Sequence, residues 1–396
     1  MRILFLSRWF PYPPDNGSKI RISNLIATLS SMGTVDLISF TSDSLSSAQL
    51  AESHKYCDTV KAIEYRSFNP GSLQAVLGFF SLKPRFLVDT YNQDFEHAVV
   101  DLVARNPYDL VIVSQIDMTP YVGLFQNQKV ILDEIELTII AKPDKKNTLR
   151  YLWSRLTWAK YQIYLRKVLK QVQGCTTVSK NELEMLRRLA PKNLPIAVIP
   201  NGIQVAQEEG EPAIPERHSL IYAGALSYYA NLDAVRYFIQ EILPEVKRAC
   251  PDVKLYVTGK ADPELISKLP NDDRVIFTGY IENIRARIES SWLSIVPLRI
   301  GGGTRLKIIE SMAYGTPVIS TSKGAEGLDL IPGKEILIAD EPAKFAAEII
   351  RVFNVPGLRE ELSQNGKKAI MSKYDWKSIS QDYIRFIDQA LSAFST

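Results

Sequence analysis

Short apolar runs recur along this chain between longer stretches of helical periodicity, and that alternation constrains the fold more than any other feature. In the first half the runs occupy residues 3–6, 35–40, 110–113, 130–132, 176–178 and 197–199; in the second, 220–223, 253–257, 275–277, 293–296, 318–320 and 336–338. They are largely continuous rather than alternating, and too short for helices, which is the pattern of parallel strands covered on both faces. Such strands interleaved with helices build doubly wound sheets, so the chain is expected to be α/β with two Rossmann-like domains.

Length supports the division, because one hydrophobic core stops growing near about 250–300 residues and this chain has 396. The stretch 204–217 carries Glu208, Glu209, Gly210, Glu211, Pro212 and Pro215 among few apolar side chains, the composition of a linker. The expected domains are therefore 1–203 and 218–377. Residues 378–396 continue an amphipathic helix that aligns Ile379, Tyr383, Phe386, Ile387 and Leu391. A net charge of +3 excludes the dense basic footprint of a nucleic-acid binder. Cys57, Cys175 and Cys250 show no C-x-x-C spacing, which argues against a zinc site or a disulfide framework and suits the cytoplasm. The run at 3–6 ends too soon for a secretory signal, and no stretch reaches the roughly 18–20 apolar residues that span a bilayer.

The densest chemical signal follows the run 293–296. Gly301, Gly302 and Gly303 precede Thr304, then an apolar-rich segment to Tyr314, then Gly315, Thr316 and Pro317. Thr304 is placed to cap a helix, Gly315 suits its left-handed stop and Pro317 forbids continuation. Glycines let backbone approach a ligand closely and free amides at a helix start favour negative charge, so a phosphate is the expected guest. Arg305 and Lys307 fall in the first turn, where a cation opposes the helix dipole; a diphosphate would compensate. Glu310 offers two acceptor oxygens that suit the vicinal diol of a ribose. Each feature alone also fits a plain turn, a solvated basic pair, or a 307/310 side-chain pair worth about 0.2–0.5 kcal/mol. Their order together favours a nucleotide site. No Walker pattern is present, and no G-x-G-x-x-G opens the first helix.

The stretch from Gly301 to Leu328, reading GGGTRLKIIESMAYGTPVIST and later GAEGL, resembles the signature of retaining family 4 glycosyltransferases of GT-B fold. Val178-Ser179, then Ile199-Pro200-Asn201-Gly202, Tyr222-Ala223-Gly224 with Asn231, Pro251-Asp252-Val253 to Gly259, and Phe277-Thr278-Gly279-Tyr280 follow the same order. The resemblance covers the second half strongly and the first loosely. It implies two Rossmann-like domains facing each other across a cleft, with the last helix crossing back to the first domain. It implies a nucleotide-sugar donor, UDP- or GDP-linked, on the second domain: Glu310 on the ribose, Tyr280 and Ile281 beside the base, Gly224 nearby, and Gly301, Gly302, Gly303 and Thr304 near sugar and diphosphate. Cofactor and metal are not expected. The family usually carries a second glutamate where this chain has Gly302, so the contact to the donor sugar departs from its pattern. Many members also place Arg and Lys after the Gly224 strand, where Ser227 and Asn231 stand here; Arg305 and Lys307 are the candidates to supply that charge and to stabilise the departing diphosphate.

In the first half, Asn16 and Gly17 mark a turn before a helix with Ile22, Leu25, Ile26 and Leu29 on one face, and Ser18 is placed to cap it. The resemblance turns this loop towards the cleft; equally it is a surface connection. Asp133 and Glu136 follow the run 130–132 at a sheet's carboxyl edge, where sites form, and are candidate proton acceptors beside a donor phosphate oxygen. His54, His97 and His218 form no nucleophile constellation.

Residues 142–170 carry nine basic side chains and one acidic, interleaved with Tyr151, Trp153, Trp158, Tyr161 and Tyr164. Such a helix either covers the core or lies on an anionic membrane at the inner face of the plasma membrane, near a lipid-linked acceptor. The leading reading is a glycosyltransferase that extends a glycan or lipid-linked saccharide during polysaccharide synthesis. The alternative is a non-catalytic nucleotide-sugar-binding protein of the same fold.

Overall fold

The computed structural model describes residues 1–134, 137, 148–204, 213–301 and 305–393, apart from the side chains of 148–150 and 152. The chain divides into two compact units, one of Met1–Asn201 with Ile379–Thr396, the other of Gly202–Ser378.

The first unit holds seven parallel strands: β1 (Arg2–Ser7), β2 (Thr34–Thr41), β3 (Val60–Glu64), β4 (Leu110–Ser114), β5 (Lys129–Asp133), β6 (Gly174–Thr177) and β7 (Ile196–Val198). Their order in space is β3-β2-β1-β4-β5-β6-β7. The second unit holds β8 (Glu216–Ala223), β9 (Lys254–Thr258), β10 (Val275–Gly279), β11 (Ser291–Val296), β12 (Val318–Ser320) and β13 (Leu337–Ile338), in the order β10-β9-β8-β11-β12-β13. Both sheets run outward in two directions from their first strand, the doubly wound arrangement expected from the sequence. Beyond Arg2, β1 is buried, as is all of β4, which is why their apolar runs are continuous. Strand β3 was not anticipated. It pairs only with β2 at the sheet edge and is half-exposed, so its Val-Lys-Ala-Ile-Glu pattern is mixed.

Two expected boundaries shift. Glu216 and Arg217, assigned to a linker over 204–217, begin β8 instead: Glu216 pairs with Ser291 and its carboxylate accepts from Lys254 Nζ at 2.7 Å and from the Tyr256 hydroxyl at 2.9 Å. Residues 205–212 of that linker lie outside the described residues. The helix Gly17–Ser30 is capped by Asn16, whose Oδ1 accepts from Lys19 N at 3.1 Å, and Ser18 lies inside it. In the helix Trp376–Ser392 the aligned apolar face is buried on the first unit, with Phe386 and Ala390 against Gly174 and Ser380 Oγ 2.7 Å from Thr28 Oγ1. Among the described residues no helix is long and apolar enough to cross a membrane.

A buried ion pair organises the carboxyl edge of the first sheet. Arg21, on the helix after β1, donates Nη2 to Asp133 Oδ1 at 2.6 Å and Nε to Asp133 Oδ2 at 3.0 Å. Its Nη1 reaches the Ile199 carbonyl at 2.7 Å and Asn201 Oδ1 at 3.0 Å, while Thr176 Oγ1 donates to Asp133 at 2.6 Å. Neither side chain is exposed. Removing one partner of such a pair strands a charge, so Arg21→Met should destabilise the chain by about 3–5 kcal/mol, and adding Asp133→Leu should recover part of the loss. Urea unfolding of the single and double variants measures both.

Candidate functional site

In the second sheet the strand order reverses at β8, between β9 and β11, and ligands of such sheets bind beyond the carboxyl ends of the strands at that point. Four loops gather there. After β8 comes Gly224, whose amide donates to the Thr258 carbonyl at 3.0 Å. After β9 comes Gly259, packed so that a Cβ would stand 2.6 Å from the Gly224 carbonyl carbon. Beyond β10, Tyr280 is 76% exposed and Ile281 half-buried. The loop after β11 reaches Gly301, at φ +101° with Tyr228 and Ala230 against its Cα, and leads into the helix Leu306–Ala313.

That helix starts later than the sequence suggests. Arg305 occupies its N-cap position with no side-chain cap, and Gly302, Gly303 and Thr304 lie outside the described residues. The Arg305 guanidinium is 5% exposed, donates to the carbonyls of Gly301 at 3.4 Å and Lys323 at 3.0 Å, and lies 3.6 Å from Glu326. It therefore holds the loop on the β12 side rather than presenting itself as a free diphosphate clamp, and its charge acts from behind.

Lys307 is the cation at the centre. Its Nζ donates to Asn231 Oδ1 at 2.8 Å and to the Tyr222 hydroxyl at 3.0 Å, and stands 4.3 Å from the centre of the Tyr222 ring. The Tyr222 hydroxyl donates in turn to Asn231 Oδ1 at 2.8 Å, and Asn231 Nδ2 to the Ala225 carbonyl at 2.8 Å. This closed network aims the amine at the Gly224 loop, where a Cβ would meet both Lys307 Nζ and Asn231 Nδ2 at 2.8 Å and displace them. No carboxylate ion-pairs with Lys307 among the described residues. Burial, with the neighbouring Arg305 charge, lowers its pKa to about 7, while Glu310 pulls the other way.

Glu310 lies one turn further along the same helix, half-buried, with no hydrogen bond or ion pair on its carboxylate among the described residues. Burial raises its pKa and the Lys307 charge opposes the rise. A half-buried carboxylate with both oxygens unused is an acceptor waiting for donors, such as ribose hydroxyls.

In the first unit several expected assignments change. Asp133 is committed to Arg21 and Thr176 and reaches no solvent, so it is a structural anion, not a proton acceptor. Glu136 lies outside the described residues. Asn16 spends its amide oxygen on the helix cap, and Gly17 begins that helix. The residue that sequence reasoning missed is Glu134. It and Gln115 line a cavity of about 410 Å³ with Arg8, Trp9, Tyr65 and Asp117. Gln115 Nε2 donates to Glu134 Oε2 at 3.1 Å, and both backbones have positive φ, +72° and +56°. Gln115, with ψ 158°, occupies a region that only glycine visits freely, and such strain concentrates at binding sites. Burial raises the Asp117 pKa and the nearby Arg8 moderates it.

Residues 217–354 match the family model for Glycosyl transferases group 1. An uncharacterized 44.6 kDa protein from the cps region of Klebsiella pneumoniae is 21% identical over 393 residues, covering 96% of this chain and 97% of that one. Among solved structures, sucrose-phosphate synthase from Thermosynechococcus elongatus superimposes with a TM-score of 0.66 at 18% identity, covering 99% of this chain and 100% of that one. The Anabaena protein HepE in complex with UDP gives a TM-score of 0.66 at 14% identity, with 98% and 100% covered. The fold is the GT-B fold of these neighbours.

With its lowered pKa, Lys307 would make the binding of an anion beside it pH-dependent. A bound diphosphate favours the ammonium and raises the pKa, so affinity is full below about 7 and falls as pH rises between the free and bound pKa values. Calorimetric titration with UDP-glucose or GDP-mannose, whose diphosphates do not titrate in this range, should show up to about tenfold loss per pH unit. Lys307→Arg should flatten the profile, because guanidinium stays charged.

Proposed function

We propose that this chain, a group 1 glycosyltransferase by its second unit and its fold, transfers a sugar with retention of configuration from a UDP- or GDP-linked donor to a glycan or lipid-linked saccharide. Glu310 carries the reading: among the described residues its half-buried carboxylate has no hydrogen-bond partner, and it lies one turn from the Lys307 amine on the same helix, so one short segment offers both an acceptor for hydroxyls and a cation for phosphate. Lys307 also supports it from another side. Its Nζ stands against Asn231, a position where, by the resemblance, many members of the family place a basic residue, so here the charge would come from the helix instead of the loop.

In the proposed step an acceptor hydroxyl oxygen forms the new bond to the sugar's anomeric carbon as the bond to the diphosphate oxygen breaks. The electron pair leaves with the diphosphate, and the acceptor proton passes to a diphosphate oxygen. Lys307 bears on the growing negative charge directly and Arg305 through its field, which is where most of the barrier is lowered in such reactions. No metal or other cofactor is required in this scheme. The cavity of the first unit, where the Arg8 guanidinium stacks over the Trp9 and Tyr65 rings at 4.4 and 3.0 Å and Asp117 and Glu134 stand as acceptors, offers donors and acceptors to the hydroxyls of an acceptor saccharide. The Klebsiella relative lies in a cps region, which accords with polysaccharide synthesis as the setting.

Incubation with a panel of nucleotide sugars and a lipid and glycan extract should release UDP or GDP, unaffected by chelator. No release from any donor, with nucleotide binding intact, would favour the non-catalytic binding protein. Glu310→Ala removes charge-assisted hydrogen bonds worth about 1.5–3 kcal/mol and should weaken nucleotide binding roughly 10–100-fold; unchanged affinity would remove Glu310 from the ribose.

A further inference from the structure

Next to the first unit's cavity, with which its cleft shares Phe86 and Tyr161, the chain exposes a large apolar face. Phe80 is 89% exposed, Leu73 74% and Leu82 70%, all within the loops and short helix around Leu73–Leu77. Beside them the helix Thr148–Val168 buries Tyr161, Tyr164, Leu165 and Val168 against the core but turns Trp153, Leu156 and Ile163, each about half exposed, outward. The spacing of these three is helical, so the helix has a second apolar stripe that the fold does not use. The two segments are fixed to each other. The Phe79 and Trp153 rings meet edge to face at 5.3 Å, Arg85 stacks over Phe79 at 3.7 Å, and Lys160 Nζ donates to the carbonyls of Gly78 at 3.3 Å and Phe79 at 2.5 Å. A cleft of about 390 Å³ lies between them, lined by Phe68, Phe79, Trp153 and Leu156.

Charge decides what covers this face. Residues 65–88 contain Arg66, Lys83 and Arg85 and no aspartate or glutamate; residues 148–170 contain Arg150, Arg155, Lys160, Arg166, Lys167 and Lys170 and again no acid. Exposed apolar patches of this extent are rare on monomers and mark interaction surfaces. A protein partner's rim would ordinarily be met by charges of both signs, whereas a one-signed cationic border around protruding aromatic and aliphatic side chains matches an anionic lipid bilayer.

We infer that the face formed by residues 68–85 and the outer stripe of the helix Thr148–Val168 docks on an anionic membrane surface, with Leu73, Phe80 and Leu82 entering the interface and Lys83, Arg85 and Arg155 at the headgroups. This surface is independent of the transfer chemistry and is tested without it. The full chain should sediment with vesicles of phosphatidylcholine mixed with phosphatidylglycerol, and roughly a hundredfold less with phosphatidylcholine alone, since each of the three cations near such a surface contributes about a factor of five. The variant Phe80→Asp with Leu82→Asp, at two positions that support no core, should lose at least about tenfold in vesicle binding while keeping its thermal unfolding midpoint. Lys83→Glu with Arg155→Glu should abolish the preference for phosphatidylglycerol. The inference is overturned if the unmodified chain sediments with neither vesicle or if the Asp variant binds equally well. It is equally overturned if light scattering shows a dimer that Phe80→Asp dissociates, which would give the face to a second copy of the chain.

Discussion

A lysine amine sunk at the start of a helix, with a guanidinium two residues before it and, among the described residues, no carboxylate paired with it, sets the terms for the rest of the second unit. Desolvation and like-charge repulsion both act against the ammonium, and its pKa of about 7 expresses their sum. The chain tolerates this because the amine is held by neutral oxygens, those of Tyr222 and Asn231, that orient it without quenching its charge. Gly224 follows from the same constraint, since any side chain there would occupy the space of Nζ, and Gly259 follows from Gly224, whose carbonyl leaves no room for a Cβ behind it. The concentration of positive charge and the Glu310 carboxylate, which has no hydrogen-bond partner among the described residues, are both unfavourable where they stand. On the proposed reading a nucleoside diphosphate would make both favourable, and perturbed groups of this kind cluster at functional sites.

The first unit shows the opposite regime. Arg21 and Asp133 are more deeply buried than Lys307, yet every strong donor and acceptor they present is met, by Ile199, Asn201 and Thr176. Such a pair ties the helix after β1 to the ends of β5, β6 and β7 and leaves nothing over for chemistry. The strain appears one residue further on, at Glu134 and across from it at Gln115, whose backbones take conformations that cost of order 1–3 kcal/mol each. The two side chains hydrogen-bond to each other on the wall of the cavity. Rigid, satisfied charge therefore supports a strained pair that faces the cavity.

The fold was legible because buried parallel strands leave continuous apolar runs: all twelve runs coincide with strands. Strand β3 escaped because an edge strand with one neighbour keeps its charges. In the second unit the site was legible to the extent that it is local, since Lys307 and Glu310 share one turn of one helix. The seat of Arg305 was not, because its partners at Lys323 and Glu326 lie across a strand and a turn. In the first unit a single residue separated the reading from the outcome. Asp133 and Glu134 are adjacent, but β5 ends at Asp133 with its side chain turned inward to an arginine 112 positions away, and no local pattern carries that pairing.

The central claim is that Lys307 and Glu310 form the diphosphate and ribose ends of one donor site. A crystal structure of the chain soaked with UDP or GDP tests it most directly. The account predicts ribose hydroxyls within hydrogen-bonding distance of the Glu310 carboxylate and a phosphate oxygen on Lys307 Nζ. A nucleotide bound with its ribose away from Glu310, or with no phosphate contact to Lys307, would contradict it.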